Sequence, residues 1–479
     1  MASKSSSGSA FQAIASSLCE LGIGTAEKKN DASQKESRRN NIQAFFQDIW
    51  QTQPAIFRSC GDASVDKDCP LSKAISMRWD DVAAMLHHCR ESSHAPLLFF
   101  QNGNPITDPT TTYANNPHAA YLDGCSIIVN HADFHHQIIS NLCNSLQETF
   151  PHVYANTYLS PPDSHAVNAH ADDRDVLVVQ VLGSKTWKVY KEVPIEYPFE
   201  DEQVGKNGLD VDPSVFGGLC FDDKEITLSA GDVLYMPRGF VHEASTHTQN
   251  VPTKILTNEV VEPSFHITLA IATHDWCIAT ILSDAIRKTL IDNREFRKAL
   301  PIGPCSEYGG SQNEMNVLKQ QLDNAMSLIQ SNVTTELLHE QLTNKYAMHN
   351  ARAGQLRLNI TTRKRPIEEQ AEDCVGYFAA CRLILDSVVR ASSAEERSSV
   401  VLQGRLRGLT VREETMQTLM TTIGMMKEMP SLKIRVKDLL NIATIDESVC
   451  SNPMICNFTL LSFAKCCVEL GALAVVKET

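Results

Sequence analysis

The sequence predicts an α+β protein: an all-β barrel or jelly roll, then a helical region, then a small winged-helix-like module. Between about 95 and 275, short apolar runs such as VLVVQVL and ITLSAGDVLYMP alternate with Gly, Asp and Pro turn signals, as in all-β cores. From about 276, apolar residues instead recur at three- and four-residue steps, which is the helical period. The last segment ends in a helical pattern, a glycine and the short β run ALAVV, as in a winged helix.

The β domain begins after a polar leader. Residues 1–40 are rich in Ser, Ala and Lys and hold few large apolar side chains, which predicts a mobile tail. Near residue 41 the pattern changes: NIQAFFQDIW has apolar residues at helical spacing, and QPAIFR is typical of a turn into a strand. We therefore place the β domain at 41–275, with a few amphipathic helices such as FHHQIISNLCNSLQETF inside it.

Three helical segments follow the β domain. They are WCIATILSDAIRKTLI, NVLKQQLDNAMSLIQ and VGYFAACRLILDSVVRA. These segments place a helical domain at 276–385 and leave 386–479 for the winged-helix-like module.

Charge and cysteine content limit the function classes. Across 479 residues the formal net charge is −14, which argues against nucleic-acid binding through bulk positive charge and suits a basic protein partner. No apolar stretch approaches the roughly 18 residues of a membrane span. The 15 cysteines include no Cys-x-x-Cys pair, which favours reduced thiols in a nuclear or cytosolic protein over a disulfide scaffold or structural zinc.

One part of the sequence carries the elements of a metal site. His170-Ala171-Asp172 stands just before the apolar run 176–182, and much later a Gly-Asp turn, a strand and Pro-Arg-Gly lead to His242. A short His-x-Asp and a distant His on a β scaffold are the layout of a two-His-one-carboxylate triad, which binds Fe(II) and leaves positions open for other ligands. The sequence therefore predicts an iron site made by these three residues.

A second His-x-Asp, His131-Ala132-Asp133, competes with the first. The later copy is favoured because it precedes an apolar strand and is followed by Lys185 in a Gly-Ser-Lys-x-Trp segment. A lysine that points into a barrel must meet an anion, and a dicarboxylate co-substrate would supply one. Two alternatives stay open at this point: that His131 caps a turn, and that Lys185 is an exposed turn residue.

Six segments, in order, resemble the ribosomal oxygenases, a branch of the JmjC-type, cupin-fold, Fe(II)/2-oxoglutarate-dependent hydroxylases. The matching segments are FFQDIWQTQPAIFR, YLDGCS, ANTYLSPPDS, AHADD, LGSKTWKVY and GDVLYMPRGFVHEAS. The end of the chain, IRVKDLL with GALAVV, is similar to the family's winged helix. The resemblance covers most of the chain and implies a double-stranded β-helix (jelly-roll, cupin) catalytic core over 41–275, a helical dimerisation domain over 276–385 and a winged helix over 386–479.

The resemblance also implies roles for individual residues. The iron ligands would be His170, Asp172 and His242; Lys185, Asn156 and Thr268 would bind 2-oxoglutarate, and Tyr158 would contact the substrate residue. With O2 as the third reactant, such an enzyme couples the oxidative decarboxylation of 2-oxoglutarate to hydroxylation of a C–H bond.

Some positions depart from the family pattern or compete with it. Ala171 replaces an aromatic residue that is common between the two proximal ligands, and Ala270 replaces a usual Ser on a late core strand, so we expect contacts to substrate and co-substrate to differ there. By residue type alone, three further histidines are rival ligands: His165, His247 and His266.

The implied substrate is a histidine of a basic large-subunit ribosomal protein, or an arginine as in bacterial members. Two alternatives stay open: a histone-lysine demethylase that acts on a histone tail, and a cupin-like interaction protein without activity. We expect a homodimer that binds neither nucleic acid nor membranes. Its expected location is the nucleus, the nucleolus or the cytoplasm rather than an organelle.

Overall fold

The computed structural model describes residues 43, 45–59, 70–91, 97–106, 113, 117–147, 149–206, 209–246, 263–299, 312–358, 388–391, 421–422, 424–429, 431–435 and 473–475. The chain forms two compact units. The first consists of Met1–Ile271 with Leu356–Thr479, and the second is Ala272–Gln355.

Two antiparallel sheets form the centre of the first unit. Their strands are β1 Ala55–Phe57, β2 Leu97–Gln101, β3 Asn104–Pro105, β4 Ser126–Val129, β5 Val153–Ser160, β6 Asp175–Leu182, β7 Ser184–Val189, β8 Ile226–Ser229, β9 Val233–Met236, β10 His242–Ser245 and β11 Ser264–Ile271. The larger sheet has the order β1-β9-β6-β11-β5-β4-β2-β3, and the smaller sheet has the order β10-β7-β8. Every pairing in both is antiparallel, so the predicted jelly-roll core is confirmed.

Strand β6 is apolar on both faces because it has a packed layer on each side. Val176 and Val178 lie with Trp187 of β7 in the cluster between the two sheets. Leu177 and Val179, on the opposite face, belong to the main core with the helical layer. The helices of this unit are α1 Pro70–Ile75, α2 Trp79–Glu91, α3 Pro117–Leu122 and α4 Gln137–Leu146.

Aromatic side chains anchor the N-terminal segment to the larger sheet. Trp50 stacks on Tyr235 of β9 and on Phe150, with ring centroids 5.6 Å and 5.0 Å apart. Phe45 contacts the edge of Tyr235 at 5.2 Å. The Phe-Phe-x-x-x-Trp spacing therefore belongs to the packing of the core rather than to its chemistry.

The second unit is helical. It contains α5 Ile278–Ile291, α6 Gln312–Asn332 and most of α7 Thr335–Leu358. Lys345 of α7 donates to the Asp275 carbonyl at 2.8 Å and lies over the ring of Trp276. The helical character predicted from residue 276 onward is present in this unit, and the domain bounds at 276–385 stay a prediction.

Near the C-terminus, the structure describes a small antiparallel sheet. Its strands are β12 Val388–Ala391, β13 Ile434–Arg435 and β14 Leu473–Val475, in the order β13-β12-β14. The helix predicted over VGYFAACRLILDSVVRA is wrong at Val388–Ala391, where adjacent β-branched valines pair with both neighbouring strands. The predicted tail over 1–40 and most of the predicted winged helix over 386–479 lie outside the described residues. Among the residues described, no helix is long and apolar enough to cross a membrane.

Candidate metal centre

Backbone pairing brings the two distant histidines together. The His170 amide donates to the His242 carbonyl at 3.1 Å, and the His242 amide returns the bond at 2.9 Å. The Gly239 amide donates to the Asp172 carbonyl at 2.9 Å. The Pro-Arg-Gly turn before β10 is therefore tied to the segment between β5 and β6, and both halves of the motif meet at one end of the smaller sheet.

The side chains of His170, Asp172 and His242 converge. His170 Nε2 lies 3.9 Å from Asp172 Oδ1, and His242 Nε2 lies 3.8 Å from Asp172 Oδ2. One ligand atom from each residue lies within 4.8 Å of the others, and no second group of this kind occurs in the part of the chain that the structure describes.

The two rival histidines that the structure describes, His165 and His266, lie apart from this group. His165 Nε2 is 2.8 Å from the Val167 carbonyl, so its ring is turned toward its own loop. His266 lies in the wall of the neighbouring cavity, stacked on Tyr158. His247 lies outside the described residues.

Backbone carbonyls determine which nitrogen of each imidazole carries the proton. Nδ1 of His170 lies 2.7 Å from the Asn168 carbonyl, and Nδ1 of His242 lies 3.0 Å from the Phe240 carbonyl. A carbonyl oxygen can only accept, so each Nδ1 is the donor and each Nε2 presents a lone pair on the side of Asp172. Outer hydrogen bonds of this kind orient histidines that bind metals.

The protonation states suit a divalent cation. Burial lowers the pKa of His170 to about 3, and the positive charge of Lys206 acts in the same direction. Burial also lowers the pKa of His242. Burial by itself would raise the pKa of Asp172, but the positive charge of Lys206 and its hydrogen bond hold that pKa below its usual range. Two neutral imidazoles and one carboxylate are what a metal needs, and this donor set fits Fe(II).

Lys206 is a residue of the site that the sequence analysis missed. Its Nζ lies 2.5 Å from Asp172 Oδ1, although the two residues are 34 positions apart. The preceding residue, Gly205, has a positive φ of 77°, and a Cβ at this position would lie 2.4 Å from the Ala169 carbonyl oxygen. Only a glycine allows this close approach. Nothing in the sequence around Gly205 and Lys206 indicates such a contact.

The competing His-x-Asp has a structural role. Asp133 Oδ2 accepts from Arg357 Nε at 2.8 Å, and its Oδ1 accepts from the Ala155 amide at 3.0 Å. Both members of this ion pair are buried. His131 occupies the N-cap position of the 3-10 turn Ala132–Phe134, but its ring makes no capping hydrogen bond and stacks on Phe134 instead. His131 therefore caps a turn, as that alternative held, but through its backbone carbonyl, which accepts from the Phe134 amide at 2.8 Å, and not through its side chain.

An open cavity adjoins the three candidate ligands. Its walls come from strands of both sheets and include apolar, aromatic and polar side chains. The lining residues on the strands are Tyr158, Val176, Val178, Lys185, Trp187, Met236, Glu243, Ala244, His266 and Thr268.

Lys185 is buried in the wall of this cavity. It is 3% exposed, because β7 turns alternate side chains inward, and the alternative of an exposed turn residue is wrong. Its Nζ donates to Ser160 Oγ at 3.0 Å, and among the described residues no acidic side chain pairs with it. Burial lowers its pKa to about 7. A buried ammonium without an acid partner is costly, and such groups are expected where an anion binds.

Ser160 extends the polar wall and was also missed from sequence. Ser126 Oγ donates to Ser160 Oγ at 3.2 Å and lies 3.1 Å from Ser164 Oγ. Ser160 stands two residues after Tyr158 on β5, so the two-residue strand period could have placed it on the same face.

Tyr158 and Thr268 line the cavity, whereas Asn156 does not. Tyr158 stacks on His266, with parallel rings whose centroids are 4.8 Å apart, and burial raises the pKa of its hydroxyl. Asn156 lies opposite Thr268 in the β5–β11 register, on the same face of the sheet. Its Oδ1 accepts from the His131 amide at 3.0 Å, which turns the side chain away from the cavity.

A family model decides what kind of domain this site belongs to. The model of the JmjC domain matches residues 128–261. This chain contains a JmjC domain. The matched range includes the three converging ligands, Lys185 and Lys206, and it ends before Thr268 on β11.

Two curated relatives of the JmjC-domain chain share one name. The protein called bifunctional lysine-specific demethylase and histidyl-hydroxylase NO66 from Drosophila melanogaster is 28% identical over 296 residues, which is 60% of this chain and 41% of the relative. Its namesake from Drosophila willistoni is 29% identical over 232 residues, which is 47% of this chain and 27% of the relative. The chain thus spans at most about two fifths of these relatives. The resemblance to the ribosomal oxygenases is confirmed by the JmjC domain and these relatives.

The chain also has a low structural similarity to solved structures of a bacterial protein. A structure titled as YcfD, a ribosomal oxygenase from Escherichia coli, in complex with cobalt and 2-oxoglutarate, is 16% identical and covers 91% of this chain and 98% of that one. Its TM-score is 0.38, which is too low to carry an argument about this chain.

Proposed function

We propose that the chain is an Fe(II)- and 2-oxoglutarate-dependent protein hydroxylase that acts on a histidine of a large-subunit ribosomal protein. The observation that carries the proposal is the cavity itself, where a two-His-one-carboxylate group lies together with a buried lysine that has no acid partner among the described residues. The triad supports iron binding by His170, Asp172 and His242. The lysine supports binding of a dianionic co-substrate by Lys185.

When bound, iron and 2-oxoglutarate supply the oxidising chemistry that hydroxylates a C–H bond in the presence of O2. The role of the chain's own residues is to hold these groups and to orient them. The two imidazoles offer Nε2 lone pairs, and Lys185, supported by Ser160, neutralises the far carboxylate of the co-substrate. Thr268 would line the co-substrate side, with Asn156 nearby if its amide turns from His131. The ring of Tyr158, stacked on His266, would present the substrate residue.

The charge of one loop supports a basic substrate. The loop between β7 and β8 carries the Lys206 that contacts Asp172, and it exposes a series of acidic side chains. The exposed acids of this loop are Glu192, Glu196, Glu200, Asp201, Asp210, Asp212, Asp222, Asp223 and Glu225. Such a loop favours Lys- and Arg-rich segments, as in ribosomal proteins and histone tails. The name of the relatives favours histidine as the hydroxylated residue.

The experiment is a turnover assay with purified full-length chain, Fe(II), 2-oxoglutarate and histidine-containing peptides from large-subunit ribosomal proteins. We expect succinate formation and a peptide that gains the mass of one oxygen atom, and neither should occur with His242→Ala. A His242→Ala variant with wild-type turnover would show that the ligand assignment is wrong. Arginine-containing peptides in the same assay decide between the two residue types.

A lysine demethylase is the second candidate, and the name of the relatives favours it, since it includes both activities. Hydroxylation of an N-methyl group releases formaldehyde. Formaldehyde from methylated histone peptides, without oxidation of any ribosomal peptide, would support the demethylase. A folded chain that binds no Co(II) would instead favour the hypothesis of a non-catalytic interaction protein.

We also propose a homodimer formed through the helical domain at 276–385. Exposed apolar side chains recur at four-residue steps on α6, at Leu318, Leu322 and Met326, which supports a helical contact surface. Leu322→Glu is expected to halve the mass seen by light scattering in solution. The same mass in wild type and variant would contradict this surface.

The free thiols of Cys89, Cys143 and Cys220 support a nuclear or cytoplasmic location.

A further inference from the structure

The carboxylate of Asp172 has two unlike oxygens. Lys206 Nζ lies 2.5 Å from Oδ1, and among the described residues no donor reaches Oδ2. Each oxygen also lies near one imidazole, Oδ1 at 3.9 Å from His170 Nε2 and Oδ2 at 3.8 Å from His242 Nε2, so the lysine contact is what distinguishes them. One oxygen is therefore held by the protein, while the other is left for a different partner.

The segment that delivers Lys206 is bound to the backbone of the ligand segment. The Ala171 amide donates to the Val204 carbonyl at 2.8 Å, and the Gly205 amide donates to the Leu209 carbonyl at 2.6 Å. Gly205 lies directly against the backbone of residues 169 and 170, where any larger residue would clash. The position of Lys206 relative to Asp172 is consequently set by main-chain contacts and not by the side chain alone.

A second ion pair of the same loop, which is exposed, serves for comparison with the pair between Lys206 and Asp172. In the same loop, Lys191 Nζ lies 2.5 Å from Asp223 Oδ1, but the side chains are 47% and 64% exposed. The corresponding values for Lys206 and Asp172 are 35% and 20%. Exposed pairs contribute little to stability, because water screens the charges and the side chains lose entropy when they pair. The partly buried pair, with its support from the loop backbone, is able to restrain the carboxylate.

We propose that Lys206 is a positioning residue: it holds Oδ1 of Asp172 and so restricts this ligand to a single oxygen, Oδ2, for the metal. A carboxylate that offers one oxygen takes one coordination position and leaves the others for co-substrate and O2. Without Lys206, both oxygens are available to the metal. The inference rests on the proposed function, because it needs a metal at this site.

The test uses full-length, metal-free protein titrated with Co(II), whose visible absorption bands respond to coordination number and geometry. Wild type is expected to bind Co(II). Lys206→Met is expected to change the shape and intensity of the bands at saturating Co(II), because Asp172 can then contribute a second oxygen. It is also expected to lower kcat by about 10- to 100-fold, the usual effect of removing an outer partner of a metal ligand.

Three variants serve as controls. Lys206→Arg retains a charged donor and is expected to keep the wild-type Co(II) spectrum. Lys191→Met removes a lysine from the same loop without touching Asp172 and is expected to behave as wild type. Lys206→Gln is the second test variant should Lys206→Met fail to give the wild-type circular dichroism spectrum.

The outcomes separate this inference from the function on which it rests. A wild-type protein that binds no Co(II) overturns the proposed function and the role of Lys206 together. Normal binding by wild type, with an unchanged spectrum in the Lys206 variant, overturns the role of Lys206 alone. A changed affinity for Co(II) with an unchanged spectrum also overturns the positioning role, since Lys206 would then act only through its charge.

Discussion

Replacing Lys185 by Met is expected to stabilise the protein while removing its affinity for the co-substrate. The side chain is 3% exposed, and burial lowers its pKa from 10.5 to about 7. In the absence of an anion, the buried ammonium opposes folding. Methionine fills nearly the same volume and brings no charge into the cavity.

The magnitude follows from the pKa. Because the folded-state pKa lies below the unfolded value, the unfolded chain binds more protons above pH 7, and stability rises with pH up to about 10.5. At ~1.4 kcal/mol for each tenfold change in proton affinity, the burial cost is at most about 4 kcal/mol at pH 7 and about 1 kcal/mol at pH 9.5. The variant is therefore expected to be more stable than wild type by up to these amounts.

Urea unfolding at pH 7 and pH 9.5, without 2-oxoglutarate, measures both values. Lys188→Met is the matched control: it lies on the same strand, is 40% exposed at the side chain and pairs with Glu243. A change within about 1 kcal/mol is expected for it at either pH, as for other exposed pairs. Titration of the Co(II)-loaded protein with 2-oxoglutarate measures the loss of affinity, expected to exceed ~100-fold for a buried charge pair.

The reasoning is refuted if Lys185→Met is less stable than wild type at pH 7. It is also refuted if the difference in unfolding free energy between variant and wild type stays constant from pH 7 to pH 9.5. Either result would mean that the ammonium is compensated in the folded protein. An unchanged affinity for 2-oxoglutarate would remove Lys185 from the co-substrate site.

Three further substitutions test other parts of the site. Asp133→Asn should lower the unfolding free energy by about 3 kcal/mol, because it leaves Arg357 buried without its carboxylate, and it should preserve Co(II) binding. Asp172→Asn should abolish Co(II) binding without such a loss of stability. Equal effects of the two variants in urea unfolding and in Co(II) titration would contradict this distinction. Gly205→Ala should lower the unfolding free energy by about 1–3 kcal/mol. The control Gly217→Ala, at a position with open space around it, should change that free energy by less than about 0.5 kcal/mol. Similar losses in the two variants would argue against the close approach at Gly205. Ser160→Ala should weaken 2-oxoglutarate binding to the Co(II)-loaded protein about tenfold, since one hydrogen bond to a charged group is lost, with Co(II) affinity unchanged; an unaltered 2-oxoglutarate titration would show that Ser160 does not support Lys185.

Local pattern was enough for much of the fold. The apolar run 176–182 became β6 because its alternate residues face two different packed layers, and the helical pattern before Leu146 became α4. The error at Val388–Ala391 shows the limit of such patterns. Four residues at the end of an apolar, helix-like run formed a strand because two partner strands from distant parts of the sequence pair with them.

The two His-x-Asp segments mark the same limit within the site. By residue type they are alike, and only the strand and lysine that follow the second favoured it. The structure separates them by partner: Asp133 meets a buried arginine 224 residues away, and Asp172 meets two imidazoles and Lys206.

The sequence by itself determined the residue types and the order of the site: a His-x-Asp, a lysine and a later histidine, on strands whose period and turn residues are local properties. Tertiary structure alone decided which carboxylate lies between imidazoles, how deeply Lys185 is buried and that Lys206 reaches Asp172. The physical reason is that desolvation and ion pairing depend on distances between side chains, which chain folding sets and sequence separation does not encode. The acidic charge of the chain is a sum over its residues, but only the fold presents part of it on the loop that carries Lys206.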